Sequence, residues 1–254
     1  LTQEDLAAIA LESYTKAAEM DPKAIARLKD PVKKLEDYYS KSGNAFTMTG
    51  EYIKAAYNYT MAYKVQEHPA YEGEKKADYL YYAGYFYVAD GANDPKSYDL
   101  AIETLNKALE AGYVDEKGDI YYYLFLSYYN NANESVKMAN MDKCKKLLMD
   151  GLAKFPNNDN IIEGLINVYT AGAGDPKELI EVVDGALKRD PKNKGLWYGR
   201  GRIFYSLKDY DQSIESFKKV VELDPKDAQS LYYVGYFYIL KADGMNNDFN
   251  QRDY

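Results

Sequence analysis

The chain has 254 residues, of which 46% are hydrophobic and 28% charged, and its formal net charge is −8. This composition is typical of a chain that forms a core, and the acidic balance disfavours nucleic acid, whose phosphates need concentrated Lys and Arg. One cysteine and one histidine exclude an internal disulfide and a Cys/His zinc site, and we predict no metal or cofactor. The longest apolar stretches are about half the roughly 20 residues of a membrane span, so we predict none.

The first predicted element is a helix over residues 3–21, and its pattern returns along the chain. In most cases a small residue is followed four residues later by a large one and three residues after that by another small one, and a Pro or Gly often ends the helix. We name helices with this pattern second helices. Their pattern residues are Ala10, Tyr14, Ala17 and Pro22; Ala55, Tyr59 and Ala62; Ala101, Leu105, Ala108 and Gly112; Cys144, Leu148, Gly151 and Pro156; Leu179, Val183, Ala186 and Pro191; and Ser213, Phe217, Val220 and Pro225.

Another recurring helix, which we name the first helix, carries a small residue inside an aromatic and apolar stripe. Apolar residues stand four before and three after the small residue, which puts them on one helical face. A glycine there costs about 1 kcal/mol of helix propensity, so we expect a second helix to approach closely and offset that cost. These marker residues are Gly43, Gly84, Ser127, Gly201 and Gly235.

The combined pattern resembles the tetratricopeptide repeat (TPR) family. The residues Trp197-x2-Arg200-Gly201-x2-Phe204, then Ser213-x3-Phe217-x2-Val220-x4-Pro225, carry the resemblance, and Gly201 and Gly235 are separated by the family's period of 34 residues. The resemblance implies an all-α fold, an α-α superhelix or right-handed solenoid of antiparallel helix pairs. It implies one solenoid over residues 1–254, with units at 3–22 (a half unit), 36–69, 77–113, 120–156, 159–191, 194–225 and 228–254 (partial).

Three segments depart from the repeat pattern. Residues 23–35 fit no repeat, and we predict insertions between the helices at 90–98 and 130–142. After Leu240 the sequence shows no second-helix pattern, so the last predicted helix ends near residue 241. A solenoid end normally needs a polar cap, and we expect the chain to be part of a longer protein.

The resemblance implies that a ligand binds the concave face, which first helices line. Groove residues then stand about three before and one after each marker, as an i, i+4 pair. Tyrosine suits such a surface because it combines contact area with a hydroxyl group, although many tyrosines could instead pack between helices. The predicted groove residues are Ser40, Asn44, Tyr81, Tyr85, Leu124, Tyr128, Asn131, Tyr198, Arg202, Tyr205, Tyr232 and Tyr236.

We interpret the chain as a non-enzymatic protein-interaction scaffold that binds a peptide or a partner's helix in this groove. The known carboxylate clamp of the family is not matched, because Asn44 and Arg202 are isolated among tyrosines. Two alternatives remain: a glycan-binding protein and a structural subunit of a cell-envelope complex. Self-association is a further hypothesis, through an apolar C-terminal edge near Leu231, Phe237 and Leu240. The Tyr- and Asn-rich acidic composition leans towards an exported, periplasmic bacterial protein.

Overall fold

A computed structural model describes residues 2–114, 116–131 and 134–252, and the side chains of residues 2–114, 116–131 and 140–243. The described residues form α-helices and two short 3₁₀-helices without a strand, which confirms the predicted all-α class. None of these helices is both long and apolar enough to cross a bilayer. The α-helices are α1 (Gln3–Met20), α2 (Ile25–Thr49), α3 (Tyr52–Gln66), α4 (Asp78–Asp90), α5 (Lys96–Glu110), α6 (Asp119–Asn130), α7 (Glu134–Lys154), α8 (Asp159–Thr170), α9 (Ile180–Arg189), α10 (Lys194–Ser206), α11 (Tyr210–Leu223) and α12 (Ala228–Arg252).

The chain divides into two compact units. The first unit contains residues 1–116 and 123–137, and the second contains residues 117–122 and 138–254. In the first unit α2 packs against α3, α3 against α4, and α4 against α5. In the second unit α10 packs against α8, α9 and α11, and α11 packs against α12. Packing of each helix on its neighbours in sequence is typical of helical repeats.

Short polar side chains determine where several helices begin. At α1, Thr2 Oγ1 accepts a hydrogen bond from the Asp5 amide, and the Asp5 carboxylate accepts one from the Thr2 amide. Asn158, Asn193 and Asp209 each accept a hydrogen bond from the amide three residues on, at α8, α10 and α11. Such caps contribute about 1 kcal/mol each, because they satisfy amides that the helix itself leaves unpaired.

The marker glycines lie where helices of a pair approach each other closely. A Cβ atom added to the glycine would lie 3.0 Å from Tyr59 at Gly43 and 2.7 Å from Phe217 at Gly201. At Gly84 it would lie 2.4 Å from Leu105. These distances are shorter than ordinary van der Waals contact, so a larger residue would force the helices apart. The predicted close approach of first and second helices is confirmed at these three markers.

Helix α2 is longer than the sequence pattern indicates. Residues 25–35, which fit no repeat, form its first three turns. Leu28, Val32, Leu35 and Tyr39 follow each other at steps of four, three and four, and all four are buried in the core of the first unit. This helical stripe explains why the segment continues the helix although Pro31 lies within it.

Two further segments are more helical than predicted. Of the predicted insertion at 130–142, residues 134–142 belong to α7, and residues 132 and 133 lie outside the described part of the chain. Helix α12 continues to Arg252, beyond the predicted end near residue 241. The remaining insertion does form a connection, in which Asp94 Oδ1 accepts a hydrogen bond from the Lys96 amide at the start of α5.

Arg200 connects three helices of the second unit. Its guanidinium group donates hydrogen bonds to Asp184 on α9 at 2.8 Å, and to Ser216 at 2.8 Å and Gln212 at 2.9 Å on α11. It also lies over the ring of Phe204, 4.6 Å from its centroid. A planar group with several donors suits this site, because one side chain satisfies acceptors on two other helices.

Candidate functional site

A cluster of tyrosine rings in the first unit combines close ring contacts with exposure. We name it the α4–α6 aromatic surface, and it consists of Tyr81, Tyr82, Tyr85, Tyr113 and Tyr123. Tyr81 stacks on Tyr113 with ring centroids 4.5 Å apart, and Tyr85 meets Tyr123 edge to face at 5.1 Å. Tyr81 also lies 5.6 Å from Tyr82 and 6.2 Å from Tyr123. The five rings therefore form one connected set.

The periodicity of α4 explains why three of these rings lie on its outer side. Leu80, Gly84 and Tyr87 are buried at steps of four and three. Tyr81, Tyr82 and Tyr85 therefore lie on the remaining sides of the helix. Tyr82 is 44% exposed and Tyr85 is 38% exposed, while Tyr81 is half-buried.

The end of α5 brings Tyr113 to this surface. Gly112 has a φ of +82°, a left-handed conformation that glycine adopts without strain, and the amide of Tyr113 donates a hydrogen bond to the Ala108 carbonyl. The chain thereby turns back at the helix end, and the Tyr113 ring stacks on Tyr81. Gly112 is a helix end that the sequence pattern predicts, whereas the contribution of Tyr113 is not predicted from the sequence.

On α6 the predicted groove residues are partly wrong. Leu124 is fully buried, so it cannot contact a ligand at the surface, and the marker Ser127 is fully buried beside it at i+3. Tyr128 and Asn131 are directed towards α5 instead. The Tyr128 hydroxyl accepts a hydrogen bond from Asn106 at 3.3 Å, and Asn131 donates one to Asp99 at 2.5 Å.

Tyr123 is the residue of α6 that joins the aromatic surface, and it is not among the predicted groove residues. It stands four residues before Ser127, a position that the marker rule assigns to packing. The error arises because α6 has no glycine to fix the helical phase, and Ser127 is one of several buried residues of this helix. The signal available in the sequence was the aromatic residue Tyr123 itself, four residues before Ser127.

At the N-terminal end, Asn44 is exposed and accepts a hydrogen bond from the Tyr59 hydroxyl at 2.7 Å. Ser40 is half-buried, and its hydroxyl donates to the Asp37 carbonyl at 3.3 Å. Asn44 thus connects a first helix, α2, to its second helix, α3. These contacts are those of residues that support packing within the pair.

The second unit engages two of its predicted groove residues in packing. Tyr198 meets Phe217 edge to face at 5.3 Å, and burial, together with the neighbouring Tyr233, raises the pKa of Tyr198 to about 12. Arg202 donates hydrogen bonds to Asn167 at 2.6 Å and Thr170 at 2.9 Å, which attach α10 to α8. Both side chains therefore contact neighbouring helices, α11 in the case of Tyr198 and α8 in the case of Arg202.

The other predicted residues of this unit remain more exposed. Tyr205 is 43% exposed, and its ring centroid lies 5.0 Å from that of Phe237. Tyr232 is 65% exposed and lies parallel to Tyr236 with centroids 5.9 Å apart. Phe237 itself is fully buried, which corrects its predicted place on an exposed C-terminal edge.

The first unit also contains a buried polar group that the sequence analysis missed. Glu36 is 6% exposed and accepts hydrogen bonds from the Tyr79 hydroxyl at 2.7 Å and from Gln66 at 3.3 Å. Burial and this hydrogen bond raise the pKa of Tyr79. The group joins α2, α3 and α4. Among the side chains that the structure describes, no three His, Cys, Asp or Glu residues lie close enough together to hold a metal ion.

Comparisons with known proteins agree with this architecture. The family model described as tetratricopeptide repeat matches residues 196–227, which contain all of α11 and all but the first two residues of α10. Among solved structures, YrrB, a TPR protein with an unusual peptide-binding site, is 19% identical and covers 87% of this chain and 97% of its own, with a TM-score of 0.56. TTC0263, a thermophilic TPR protein of Thermus thermophilus, is 16% identical and covers 80% of this chain and 99% of its own, with a TM-score of 0.52.

A comparison with curated protein sequences gives no match. The family match and the structural similarity agree with the close contacts at Gly43, Gly84 and Gly201, which the repeat pattern predicts. The chain therefore contains a tetratricopeptide repeat at residues 196–227 and has the fold of tetratricopeptide-repeat proteins.

Proposed function

We propose that the chain is a non-enzymatic protein-interaction scaffold that binds a peptide or a partner's helix on the α4–α6 aromatic surface. The observation that carries this proposal is the connected set of five tyrosine rings, two of which are more than a third exposed. Large rings that are held by their neighbours lose little conformational freedom on binding. Tyrosine is accordingly enriched among the residues that dominate binding energy.

The fold supports the same proposal. YrrB is described as having a peptide-binding site, and it shares the fold at 19% identity. The arrangement of rings suits an apolar or aromatic side chain of the ligand, which can lie against ring faces while tyrosine hydroxyls hydrogen-bond its backbone. In this proposal α4 and α5 supply a firm base, because Gly84 and Leu105 keep the two helices in close contact.

The test compares two double variants with matched exposure in the same unit. Tyr82→Ala/Tyr85→Ala removes rings that are 44% and 38% exposed, and the control Tyr52→Ala/Tyr57→Ala removes rings of α3 that are 44% and 39% exposed. Peptides are selected from a displayed random library against the parent chain, and their affinities for the three proteins are measured by titration calorimetry. Far-UV circular dichroism verifies that all three are equally helical.

We expect the selected peptides to bind the control like the parent and to bind Tyr82→Ala/Tyr85→Ala about 10- to 100-fold more weakly, since each anchoring ring is worth about 1–2 kcal/mol. Equal affinity for both variants would contradict the proposed surface. If no peptide binds but glycans on an array do, and the same variant loses them, the glycan-binding alternative replaces it. If neither peptides nor glycans bind, the structural-subunit alternative remains.

A further inference from the structure

A cavity of about 260 Å³ lies in the first unit, between the first half of α2 and the connection from α3 to α4. Side chains within residues 29–36 of α2 form one wall, and residues 70–73 form the other. Both walls lie largely outside the repeat pattern, since residues 23–35 fit no repeat and residues 70–76 join two repeat units. The cavity is therefore a feature of this chain in addition to its repeats.

A buried carboxylate lines this cavity. Among the side chains that the structure describes, Glu36 is the only buried carboxylate, at 6% exposure. Its Oε1 atom accepts the hydrogen bonds of Tyr79 and Gln66, whereas Oε2 accepts none from the described chain. Gln66 is itself held in place, because its Oε1 atom accepts a hydrogen bond from the Lys76 amide at 2.8 Å. The carboxylate is thus fixed through one oxygen and open at the other.

No cation of the described chain compensates the charge of this carboxylate. Lys29 pairs with Glu72 at the rim of the cavity, and neither Lys33 nor Glu36 forms an ion pair with a described residue. The lining contains two lysines and three acids, the third being Asp30, so the balance is negative. A buried carboxylate without a cation is costly, because it has lost its water and gained no opposite charge. A ligand that supplies the positive charge would offset this cost.

Tyr71 adds an aromatic ring to the lining of the cavity. Its hydroxyl donates a hydrogen bond to the Glu74 carbonyl at 3.4 Å, and a Cβ atom added to Gly73 would lie 2.4 Å from that hydroxyl, so the connection folds closely around the ring. Burial, together with the negative charge of Glu36, raises the pKa of Tyr71. An aromatic ring in the same cavity as a carboxylate suits the carbon chain and the charge of an alkylammonium group.

We propose that this cavity binds the alkylammonium group of a ligand, with its nitrogen on Oε2 of Glu36 and its carbon chain along Tyr71. The volume suits one such group, because pockets for drug-sized ligands are larger, at roughly 300–1,000 Å³. An ammonium group needs only one oxygen, whereas a guanidinium fork needs two, and Oε1 already accepts two hydrogen bonds. A divalent metal ion fits poorly, because no three ligating side chains of the described chain lie close together.

This site shares no residue with the α4–α6 aromatic surface, so the proposal does not depend on the function proposed above. Two sources can supply an alkylammonium group: a lysine side chain of a partner protein and a free alkylamine. The probes are accordingly n-butylammonium chloride and an acetylated, amidated pentapeptide with one lysine between glycines. The uncharged control is n-butanol, and sodium chloride keeps the ionic strength equal in all samples.

The measurement follows the side-chain amide of Gln66, which donates to Glu36, by nitrogen–proton correlation NMR. Glu36→Gln removes the charge but keeps the shape and an oxygen for the hydrogen bonds of Tyr79 and Gln66. Glu103→Gln is the matched control, because Glu103 is an exposed acid of the same unit that does not line the cavity. Lys33→Met tests whether the chain's own lysine competes for the carboxylate. Circular dichroism verifies that all variants are folded.

We expect saturable shifts of the Gln66 amide with n-butylammonium and none with n-butanol. The dissociation constant should be at least about 10-fold higher for Glu36→Gln than for the parent chain and Glu103→Gln. Tighter binding of the pentapeptide than of n-butylammonium identifies a protein lysine as the source, and binding no tighter than that identifies a free alkylamine.

Three results would overturn the proposal: equal shifts with n-butanol, binding that Glu36→Gln leaves unchanged, or no saturable shift in the parent chain. Binding that occurs only in Lys33→Met would overturn it as well, because the chain's own Lys33 then occupies the carboxylate of Glu36.

Discussion

Gly201 and Gly235 occupy the same repeat position, yet we expect a substitution by alanine to have opposite effects on stability. At Gly201 the new Cβ atom would lie 2.7 Å from Phe217. That ring is 1% exposed and is enclosed by Tyr233 at 4.9 Å and Tyr198 at 5.3 Å, so it cannot move aside. At Gly235 no atom of the described part of the chain lies within 4 Å of the added Cβ atom.

The magnitudes follow from two opposing terms. Alanine in place of glycine inside a helix gains about 1 kcal/mol, while overpacking a core costs about 1–3 kcal/mol. Gly201→Ala should therefore lower the free energy of unfolding by about 1 kcal/mol, and Gly235→Ala should raise it by up to about 1 kcal/mol. The two variants should differ by about 2 kcal/mol although they carry the same chemical change.

Urea unfolding measures this difference. Trp197 is the single tryptophan of the chain and lies on α10, one turn before Gly201, so its fluorescence reports on the unit that contains both glycines. The midpoints are compared at a common slope, because a change of slope would indicate altered cooperativity. Equal midpoints for Gly201→Ala and Gly235→Ala would refute the reasoning that a neighbouring side chain covers Gly201 and that no described side chain covers Gly235.

Three further predictions concern the buried polar groups and the cysteine. Arg200→Ala should lower the unfolding free energy by about 2–3 kcal/mol in the same urea assay, and Arg200→Lys should restore little of it, since lysine lacks the planar set of donors. Tyr79→Phe should lower the free energy of unfolding by about 1–3 kcal/mol, measured by differential scanning calorimetry, because buried Glu36 loses a hydrogen bond. An unchanged melting temperature would argue against that bond. Burial raises the pKa of the Cys144 thiol from 9.0 to about 11, so a disulfide reagent should label this thiol at pH 8 only after the chain unfolds. For the same reason, the free energy of unfolding that this group contributes should be constant below about pH 9 and should be lost as the pH rises to 11. Fast labelling of the folded chain would contradict the burial of Cys144.

Residue periodicity predicted the helix pairs at three glycines because a glycine in an apolar stripe allows a neighbouring helix to approach closely. Gly43, Gly84 and Gly201 each contact the large residue that the second-helix pattern names. The prediction failed on α6, where a serine served as marker. Serine tolerates several positions on a helix, so the helical phase was off and buried Leu124 was assigned to the surface.

The candidate site was only partly predictable from the sequence. Tyr81 and Tyr85 follow from the phase of α4 alone, because they belong to one helix. Tyr113 and Tyr123 reach the same surface from the end of α5 and from α6, and only the tertiary structure brings rings so distant in sequence together. The hydrogen bonds of Arg202 with Asn167 and Thr170 depend likewise on how α8 and α10 pack.

The central claim, that the α4–α6 aromatic surface binds a protein or peptide partner, is tested most directly by photo-crosslinking. The photoreactive residue p-benzoylphenylalanine replaces Tyr85 in one variant and Tyr52, of similar exposure on α3, in the other. Both are irradiated in an extract of the native source, and crosslinked products are identified by mass spectrometry. We predict one defined protein partner crosslinked at position 85 and not at position 52. The same products at both positions, or none at position 85, would contradict the account.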